Sequence, residues 1–145
     1  YRAFVYGVMK EQFGTIERPI GRSASDFRKR SAERGAKGTL REAVTDWEQL
    51  KSGLYKGERF SYLSLRPKTG RTHQLRVHLK AIDRPIVGDV LYGGKRFEIS
   101  NNLDLKRMAL HAHTLTLTLP SGKRETFTAP LPEDFERSES ELVPN

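Results

Sequence analysis

Residues 65–94 read LRPKTGRTHQLRVHLKAIDRPIVGDVLYGG, and this segment decides the fold. Within it, Leu75, Leu79 and Ile82 recur at intervals of four and three residues, which predicts a short helix with a single apolar stripe. A Thr-Gly turn precedes the helix and a proline follows it, so both of its ends are marked. We expect the helix to begin near Thr72, whose hydroxyl can cap the first turn.

The polar side of the same helix is cationic. His73, Arg76 and Lys80 share a face that is separate from the leucine stripe. A half-buried arginine at such a place usually pairs with an acid, and a carboxylate held by arginine stays ionised and fixed, as a nucleophile must be. This face therefore suits a phosphate or a carboxylate. A solvated basic helix face explains the same residues equally well on physical grounds alone.

Strand patterns surround the helix. Four segments are rich in aromatic, β-branched or alternating residues and read as strands: 1–8, 60–65, 109–119 and the hairpin partner 124–129. Residues 40–50 are ambiguous between strand and helix, although the alternation of Ala43, Thr45 and Trp47 favours a strand. Together these patterns predict an α+β fold with a mixed, mostly antiparallel sheet and one marked helix.

Two segments lack a regular pattern. Residues 23–38 are polar and basic and predict a loop or a flexible hairpin. Residues 133–145 collect acidic side chains and predict an acidic tail that follows a single domain formed by residues 1–132.

The net charge indicates the class of partner. The chain has 145 residues and carries 26 Lys and Arg against 18 Asp and Glu, a formal net charge of +8. The basic residues concentrate in segments 18–41 and 66–84. An excess of this size favours a polyanionic partner, nucleic acid first, while a basic surface that only aids solubility is the simpler explanation.

Composition also excludes several kinds of site. The chain has no cysteine, which excludes disulfides, thiolate chemistry and cysteine-based zinc sites. His111 and His113 would face the same way on a strand, but no neighbouring residue offers a third ligand, so we predict no metal site. No apolar run approaches the roughly 20 residues that cross a bilayer. We expect a soluble, cytoplasmic protein that does not act on membranes.

The helix segment has a close counterpart in a known family. The run Thr69–Leu79, TGRTHQLRVHL, followed by Pro85–Gly93, PIVGDVLYG, closely resembles the signature of the RluA-type pseudouridine synthases. Further segments resemble the same family in the same order: Tyr1-x-Ala3, Ile16–Ile20, Ala43–Trp47, Met108–His113 and Thr128–Pro132. The resemblance covers nearly the whole chain apart from the basic loop and the acidic tail.

The resemblance implies both a fold and an activity. The expected fold is the C-terminal portion of the pseudouridine synthase fold. Such enzymes flip a uridine out of ribosomal or transfer RNA, detach the base from its ribose and rejoin it through carbon, without a metal or a cofactor. Their nucleophile is an Asp in a His-Arg-Leu-Asp-type motif that precedes the Tyr-x-Ala strand, and this sequence contains no such motif. We therefore expect residues 1–132 to be a partial catalytic domain that is inactive alone.

The resemblance also implies roles for single residues. Arg76 matches the arginine that pairs with the nucleophilic Asp, and Tyr1 matches the active-site tyrosine that packs against the target base. The residues expected to contact RNA or shape the pocket are Arg71, His73, Gln74, Lys80, Arg66, Lys68, Arg28, Lys29 and Arg30. Asp89 is a weaker candidate for the nucleophile, and we expect it to accept hydrogen bonds from loop amides instead.

Two alternatives to a catalytic role stay open. The chain is an RNA-binding module or a degenerate homologue without catalysis, or it is a fragment with no function of its own. On the last interpretation the strand at residues 1–8 lacks its partner, so a sheet edge lies exposed and the isolated chain aggregates. In the enzymatic interpretation, we expect a monomer whose partner is RNA, most often ribosomal RNA.

Overall fold

The computed structural model describes residues 1–144. The strands are, in chain order, β1 (Arg2–Tyr6), β2 (Phe13–Glu17), β3 (Ile20–Arg22), β4 (Arg30–Ser31), β5 (Lys37–Arg41), β6 (Val44–Tyr55), β7 (Glu58–Pro67), β8 (Leu110–His111), β9 (Thr114–Thr118) and β10 (Arg124–Thr128). The helices are α1 (Gln74–Ala81), α2 (Gly94–Ile99) and α3 (Glu133–Glu141), with a 3₁₀ turn at Asn102–Asp104. No helix in the described part of the chain is long and apolar enough to cross a membrane.

A five-stranded antiparallel sheet forms the centre of the molecule, in the order β2-β6-β7-β1-β8. Strands β6 and β7 form its longest hairpin, in which Thr45 faces Pro67 and Tyr55 faces Glu58. The segment 40–50, which the sequence leaves ambiguous, contains the end of β5 and the start of β6 and no helix. The predicted α+β class with a mostly antiparallel sheet is confirmed.

The core lies on both faces of this sheet. Ala3, Phe4, Val5 and Tyr6 are consecutive in β1 and all buried, which happens when both faces of a strand are covered. Helix α1 contributes the predicted Leu75 and Leu79, and its partly buried Ile82 packs at the margin of the same cluster. The apolar stripe of α1 is thus confirmed as a core face.

Helix α3 occupies the segment that we expected to be an acidic tail. Its Phe135 is fully buried and packs edge-on against Phe4, with 5.3 Å between the ring centroids. Leu142, just after the helix, is also buried, and Val143 forms a β-bridge with Leu54. The acidic residues lie on the outer side of an amphipathic helix, so charge composition alone concealed its apolar anchors.

The prediction that the first strand leaves a sheet edge exposed is wrong. One edge of β1 pairs with β7 over five residues. On the other edge, the amide nitrogens of Phe4 and Tyr6 donate to the carbonyl oxygens of Ala109 and Pro85, each at 3.1 Å. The amide of Val87 donates to the carbonyl of Phe4 at 2.9 Å. Segments from much later in the chain therefore close this edge.

The start of α1 also differs from the prediction. The helix begins at Gln74, two residues after Thr72, and no side chain caps its first turn. His73 precedes it in the left-handed region with φ of 55°. The turn before the helix is held by Gln74 itself, whose Oε1 accepts from the amide of Arg71 at 3.1 Å, so the threonine hydroxyl is not needed there.

Two further segments differ from expectation. Residues 109–119 do not form one strand, because β8 joins the central sheet while β9 pairs with β10 in a separate hairpin. The predicted hairpin between residues 114–118 and 124–128 is confirmed. Most of the basic segment 23–38 lies in turns, but it contains β4 and the start of β5, which flank β3 in a small sheet that we call the basic sheet.

Candidate active site

The loop after Val87 holds a buried carboxylate. The side chain of Asp89 is fully buried, and its Oδ1 accepts hydrogen bonds from the amides of Leu91 at 3.1 Å and Tyr92 at 3.0 Å. Gly88 allows this turn, because its φ is +75° and a Cβ there would stand 2.5 Å from the carbonyl oxygen of Arg107. The expected role of Asp89 in binding loop amides is confirmed.

Asp89 also holds Arg76 by a bidentate ion pair. Nε of Arg76 donates to Oδ2 and Nη2 donates to Oδ1, both at 2.8 Å. The hydrogen bonds that Arg76 donates to this carboxylate raise the pKa of the guanidinium above its ordinary value. A fork of this kind fixes the guanidinium plane as well as its charge. Within residues 1–144, Nη1 of Arg76 makes no hydrogen bond, so one donor edge is available to a further ligand.

Tyr92 supports the arginine from a second side. The guanidinium carbon of Arg76 lies 4.9 Å from the centre of the Tyr92 ring, within the range of a cation–π contact. The Tyr92 hydroxyl lies 2.9 Å from Nδ1 of His73 and accepts from the amide of Arg30 at 3.0 Å. Burial, followed by the charge of Arg76, lowers the pKa of His73. This network connects α1, the Asp89 loop and the basic sheet.

Tyr1 and Arg76 line one cavity of about 220 Å³. The side chain of Tyr1 is 42% exposed at its rim. The remaining lining residues are Pro67, Thr69, Gly70, Arg71, His73, Gln74, Leu75 and Leu110. Five predicted site residues from two distant segments therefore meet in one place. Among the residues that the structure describes, no Asp or Glu lines this cavity.

Gln74 shapes the cavity by fixing its wall. The residue is only 4% exposed, and its Oε1 accepts from the Thr69 hydroxyl at 2.6 Å. Its Nε2 donates at 3.0 Å both to the carbonyl of Val44 and to the hydroxyl of Thr45. These bonds tie the turn before α1 to β6, so the amide of Gln74 is fully used inside the protein.

The other predicted RNA contacts are distributed around the cavity. Arg66 and Lys68 line a groove beside Trp47 at the β2–β6 edge of the central sheet, and Lys68 pairs with Asp46 at 3.2 Å. Lys80 lines a small pocket beside Tyr92. Arg28 and Lys29 line a groove of about 830 Å³ that also borders Arg76. Arg28 itself forms an exposed ion pair with Asp26 at 2.7 Å.

Sequence reasoning missed four members of the site. Asp89 and Tyr92 were not predicted as partners of Arg76, although an Asp three residues before a Tyr in a Gly-bounded turn is a pattern that caps loop amides. Arg22 and Arg41 were not singled out within the basic segment. They line one cleft together with Arg30 and Arg71, because β3, β4 and β5 bring distant arginines side by side.

The structure offers no metal centre in residues 1–144, where no group of three or more His, Asp or Glu side chains could hold a metal ion. The rings of His111 and His113 stand 6.0 Å apart. Nδ1 of His113 instead bonds the carbonyl of Ala129 at 2.8 Å.

The chain is similar to known proteins over most of its length. Residues 1–81 match the family model described as RNA pseudouridylate synthase. A protein of Synechocystis named as an uncharacterized RNA pseudouridine synthase is 43% identical over 138 residues, which are 94% of this chain and 40% of that protein. A Bacillus subtilis protein with a similar name is 36% identical over 146 residues, covering 100% of this chain and 43% of its own length.

Solved structures agree with the sequence relatives. Human RNA pseudouridylate synthase domain containing 1 superposes with a TM-score of 0.79 at 34% identity, over 90% of this chain and 53% of that one. Human RNA pseudouridylate synthase domain containing 4 gives 0.68 at 26% identity, over 99% and 62% respectively. The chain spans about two fifths of the length of the bacterial relatives.

The fold is that of a pseudouridylate synthase domain. The chain belongs to the RluA-type family of RNA pseudouridine synthases.

Proposed function

We propose that residues 1–145 form the part of an RNA pseudouridine synthase that receives the target uracil, and that the cavity lined by Tyr1 and Arg76 is the receiving pocket. The convergence of these two side chains on one cavity, in a member of the family, carries the proposal. A tyrosine ring at the rim suits stacking on a flipped base, and a fixed guanidinium suits an anion beside it.

The chemistry required of this pocket is an isomerisation. The bond between N1 of uracil and C1′ of ribose breaks, and a bond between C5 and C1′ forms. The proton lost from C5 is balanced by the proton gained at N1, so no oxidant, reductant or cofactor is consumed. We propose that a carboxylate from outside residues 1–145 acts as the nucleophile and pairs with the available Nη1 edge of Arg76.

Asp89 does not suit that nucleophilic role. Its side chain is fully buried, and its two oxygens already accept four hydrogen bonds from Arg76, Leu91 and Tyr92. Exposing it to a ribose carbon would break the bonds that hold Arg76. In our proposal Asp89 is a positioning residue, which orients the arginine through a bidentate contact.

The proposed substrate is a structured ribosomal or transfer RNA, and the protein is proposed to act as a monomer in the cytoplasm. The net charge of +8 and the basic side chains around the pocket support an RNA substrate. The proposed contacts closest to the target nucleotide are Arg71 and His73, at the cavity wall. Arg30 and Lys29 lie farther out.

The test is Arg76→Lys in the complete protein, assayed for pseudouridine formation on unmodified ribosomal and transfer RNA transcripts. Lysine keeps the charge beside Asp89 but cannot make the planar fork. We expect the rate to fall about 100-fold, the cost of a misplaced catalytic group. The midpoint of thermal unfolding and the affinity for RNA, measured on the same samples, should change far less than the rate does.

Arg84→Lys is the matched control. The side chains of Arg76 and Arg84 are 20% and 22% exposed, but Arg84 bonds the carbonyl of Val8 and does not line the cavity. A normal rate of isomerisation by the Arg76 variant would overturn the role proposed for this residue.

A non-catalytic RNA-binding module is the second candidate, favoured by the absence of any Asp or Glu along the described cavity wall. The same assay distinguishes the two. A complete protein that binds the transcripts with a steep salt dependence, and forms no pseudouridine on them, would support the second candidate and exclude the first.

A further inference from the structure

A second cavity lies against the proposed uracil pocket and is lined by four arginines. It measures about 460 Å³, within the range of about 300–1,000 Å³ that is typical of small-molecule sites. Its walls are Ile20, Gly21, Arg22, Arg30, Thr39, Arg41, Gly70, Arg71 and Thr72. We call it the arginine cleft. None of its lining residues is acidic.

Within the described part of the chain, the four guanidinium groups lack acidic partners. None of Arg22, Arg30, Arg41 and Arg71 forms an ion pair within residues 1–144, whereas Arg28, Arg76 and Arg107 do. Among the described residues 1–144, the only hydrogen bond from a side chain of the four is from Nε of Arg71 to the carbonyl of Glu42, at 2.8 Å. Like charges held together in a concavity repel one another, and a bound polyanion relieves that repulsion.

The position of the cleft defines its ligand. Gly70 and Arg71 line both the arginine cleft and the uracil pocket, so the two cavities share a wall. A nucleotide whose base enters the pocket must place its own phosphates close by. We propose that the arginine cleft binds backbone phosphates of the RNA next to the target uridine, with Arg22 and Arg41 as its dedicated contacts. This inference rests on the proposed function for the identity of the adjoining pocket.

The chemistry of the lining favours phosphate over a base. Arginine presents a planar fork that matches two phosphate oxygens, and the threonine hydroxyls add neutral donors. None of the described residues that line the cleft has an aromatic side chain on which a base could stack. Arg22 and Arg41 are exposed, and neither lines the uracil pocket, so they can contribute to binding without touching the reacting atoms.

The experiment compares two double variants of the complete protein. Arg22→Gln with Arg41→Gln removes two charges from the cleft. Arg59→Gln with Arg124→Gln removes two from exposed positions in β7 and β10, outside every cavity described above. The probe is a fluorescent, single-stranded oligouridylate, titrated at several salt concentrations. Thermal unfolding verifies that all the proteins are folded.

We expect the cleft variant to bind the oligouridylate about tenfold more weakly. The slope of the logarithm of the binding constant against the logarithm of the salt concentration should become shallower by about 1.4, because each of the two lost phosphate contacts contributes about 0.7. The control should lose much less of both. Equal losses in the two variants, or no binding by the wild type, would overturn the proposal. An oligouridylate with uncharged methylphosphonate linkages should bind the wild type and the cleft variant alike.

Inorganic phosphate distinguishes a free-anion site from a backbone site. Calorimetric binding of phosphate to the wild type, combined with undiminished oligouridylate affinity in the cleft variant, would assign the cleft to a free anion and overturn the RNA assignment.

Pseudouridine formation separates the cleft from the proposed function. On RNA transcripts, the cleft variant should be about tenfold slower at low substrate and unchanged at saturation, as expected for lost uniform binding. A wild type without isomerase activity would refute the proposed function, while the oligouridylate comparison would still decide the cleft. If the wild type is active and the cleft variant forms pseudouridine at the same rate as the control variant, only the role proposed for the arginine cleft is refuted.

Discussion

The Asp89 loop and the basic sheet use arginine in opposite ways. At the Asp89 loop, Arg76 of helix α1 is only 20% exposed, and both its Nε and Nη2 bond one buried carboxylate. In the basic sheet, Arg22, Arg30 and Arg41 have no acidic partner among the described residues. A paired, buried arginine contributes to the stability of the protein and is fixed in direction. An unpaired, exposed arginine contributes little to stability and remains available to a ligand.

The difference teaches that basic composition alone does not locate a binding site. Both regions belong to the same +8 chain and touch each other, since the Tyr92 hydroxyl accepts from the amide of Arg30 at 3.0 Å. What separates them is the supply of nearby acids and the degree of burial. The predictions that follow test this contrast, from the largest expected effect to the smallest.

Asp89→Asn should produce the largest loss of stability. It leaves Arg76 charged and partly buried without a counterion, and breaking a buried pair costs about 3–5 kcal/mol. Asp134→Asn is the matched comparison, because Asp134 also binds an arginine bidentately, Arg107 at 2.9 Å, but both side chains are partly exposed. It should cost about 1 kcal/mol or less. Urea unfolding measures both, and equal losses would contradict the contrast.

Gly88→Ala should produce the next largest loss of stability, lowering the free energy of unfolding by about 3 kcal/mol. Its φ of +75° disfavours any side chain, and the added Cβ would meet the carbonyl oxygen of Arg107 at 2.5 Å. Gly35, in the turn between β4 and β5, has a similar φ of +93° but no atom within 4 Å of an added Cβ, so Gly35→Ala has only the backbone cost of about 1 kcal/mol. The comparison fails if the two substitutions destabilise the protein equally.

The stability of the α1 region should depend on pH. Burial lowers the pKa of His78 below 6.5, and its nitrogens bond the Thr45 hydroxyl and the Arg18 carbonyl. The unfolded state then binds more protons than the native state below pH 6.5, so the stability is complete above that pH and falls as the pH is lowered. The urea midpoint should drop between pH 7 and pH 5.

The pH dependence can be assigned with two variants. His78→Asn should remove most of it. His73→Asn should remove only part, because burial and Arg76 lower the pKa of His73 in the same direction. A His78 variant with the full wild-type pH dependence would contradict this assignment.

Arg41→Gln should have the smallest effect on stability, within about 0.5 kcal/mol of the wild type. The side chain is exposed and unpaired among the described residues, and it stands among like charges, so its loss should be neutral or slightly stabilising at low salt. A loss above about 1 kcal/mol would show that this arginine is structural.

The sequence predicts what depends on local pattern. The apolar stripe of α1, the strand at residues 60–65 and the β9–β10 hairpin follow from periodicities that tertiary contacts did not override. The adjacency of Tyr1 and Arg76 was accessible only through the family resemblance, since no periodicity links residues so far apart. The site residues beyond that adjacency remain predictions.

What the sequence did not predict depends on contacts between distant segments. Helix α3 looks like an acidic tail unless Phe135 is known to reach Phe4. The start of α1 is set by Gln74, which bonds the turn before it and β6 together, and not by the local preference of Thr72 for a cap. The Asp89–Arg76 pair joins a loop to a helix, and charge patterns do not specify which acid meets which arginine.

The closure of the core by Phe135 and Leu142 constrains the order of folding during synthesis. Strand β1, near the beginning of this sequence, cannot complete its packing until α3 has left the ribosome, and the bridge from Leu54 to Val143 forms later still. Pairing of such high sequence separation is slow, because the entropy of closing a long loop is lost before any contact compensates for it. Until then, the aromatic face of Phe4 and Tyr62 is open to solvent and to chaperones that bind exposed apolar surface.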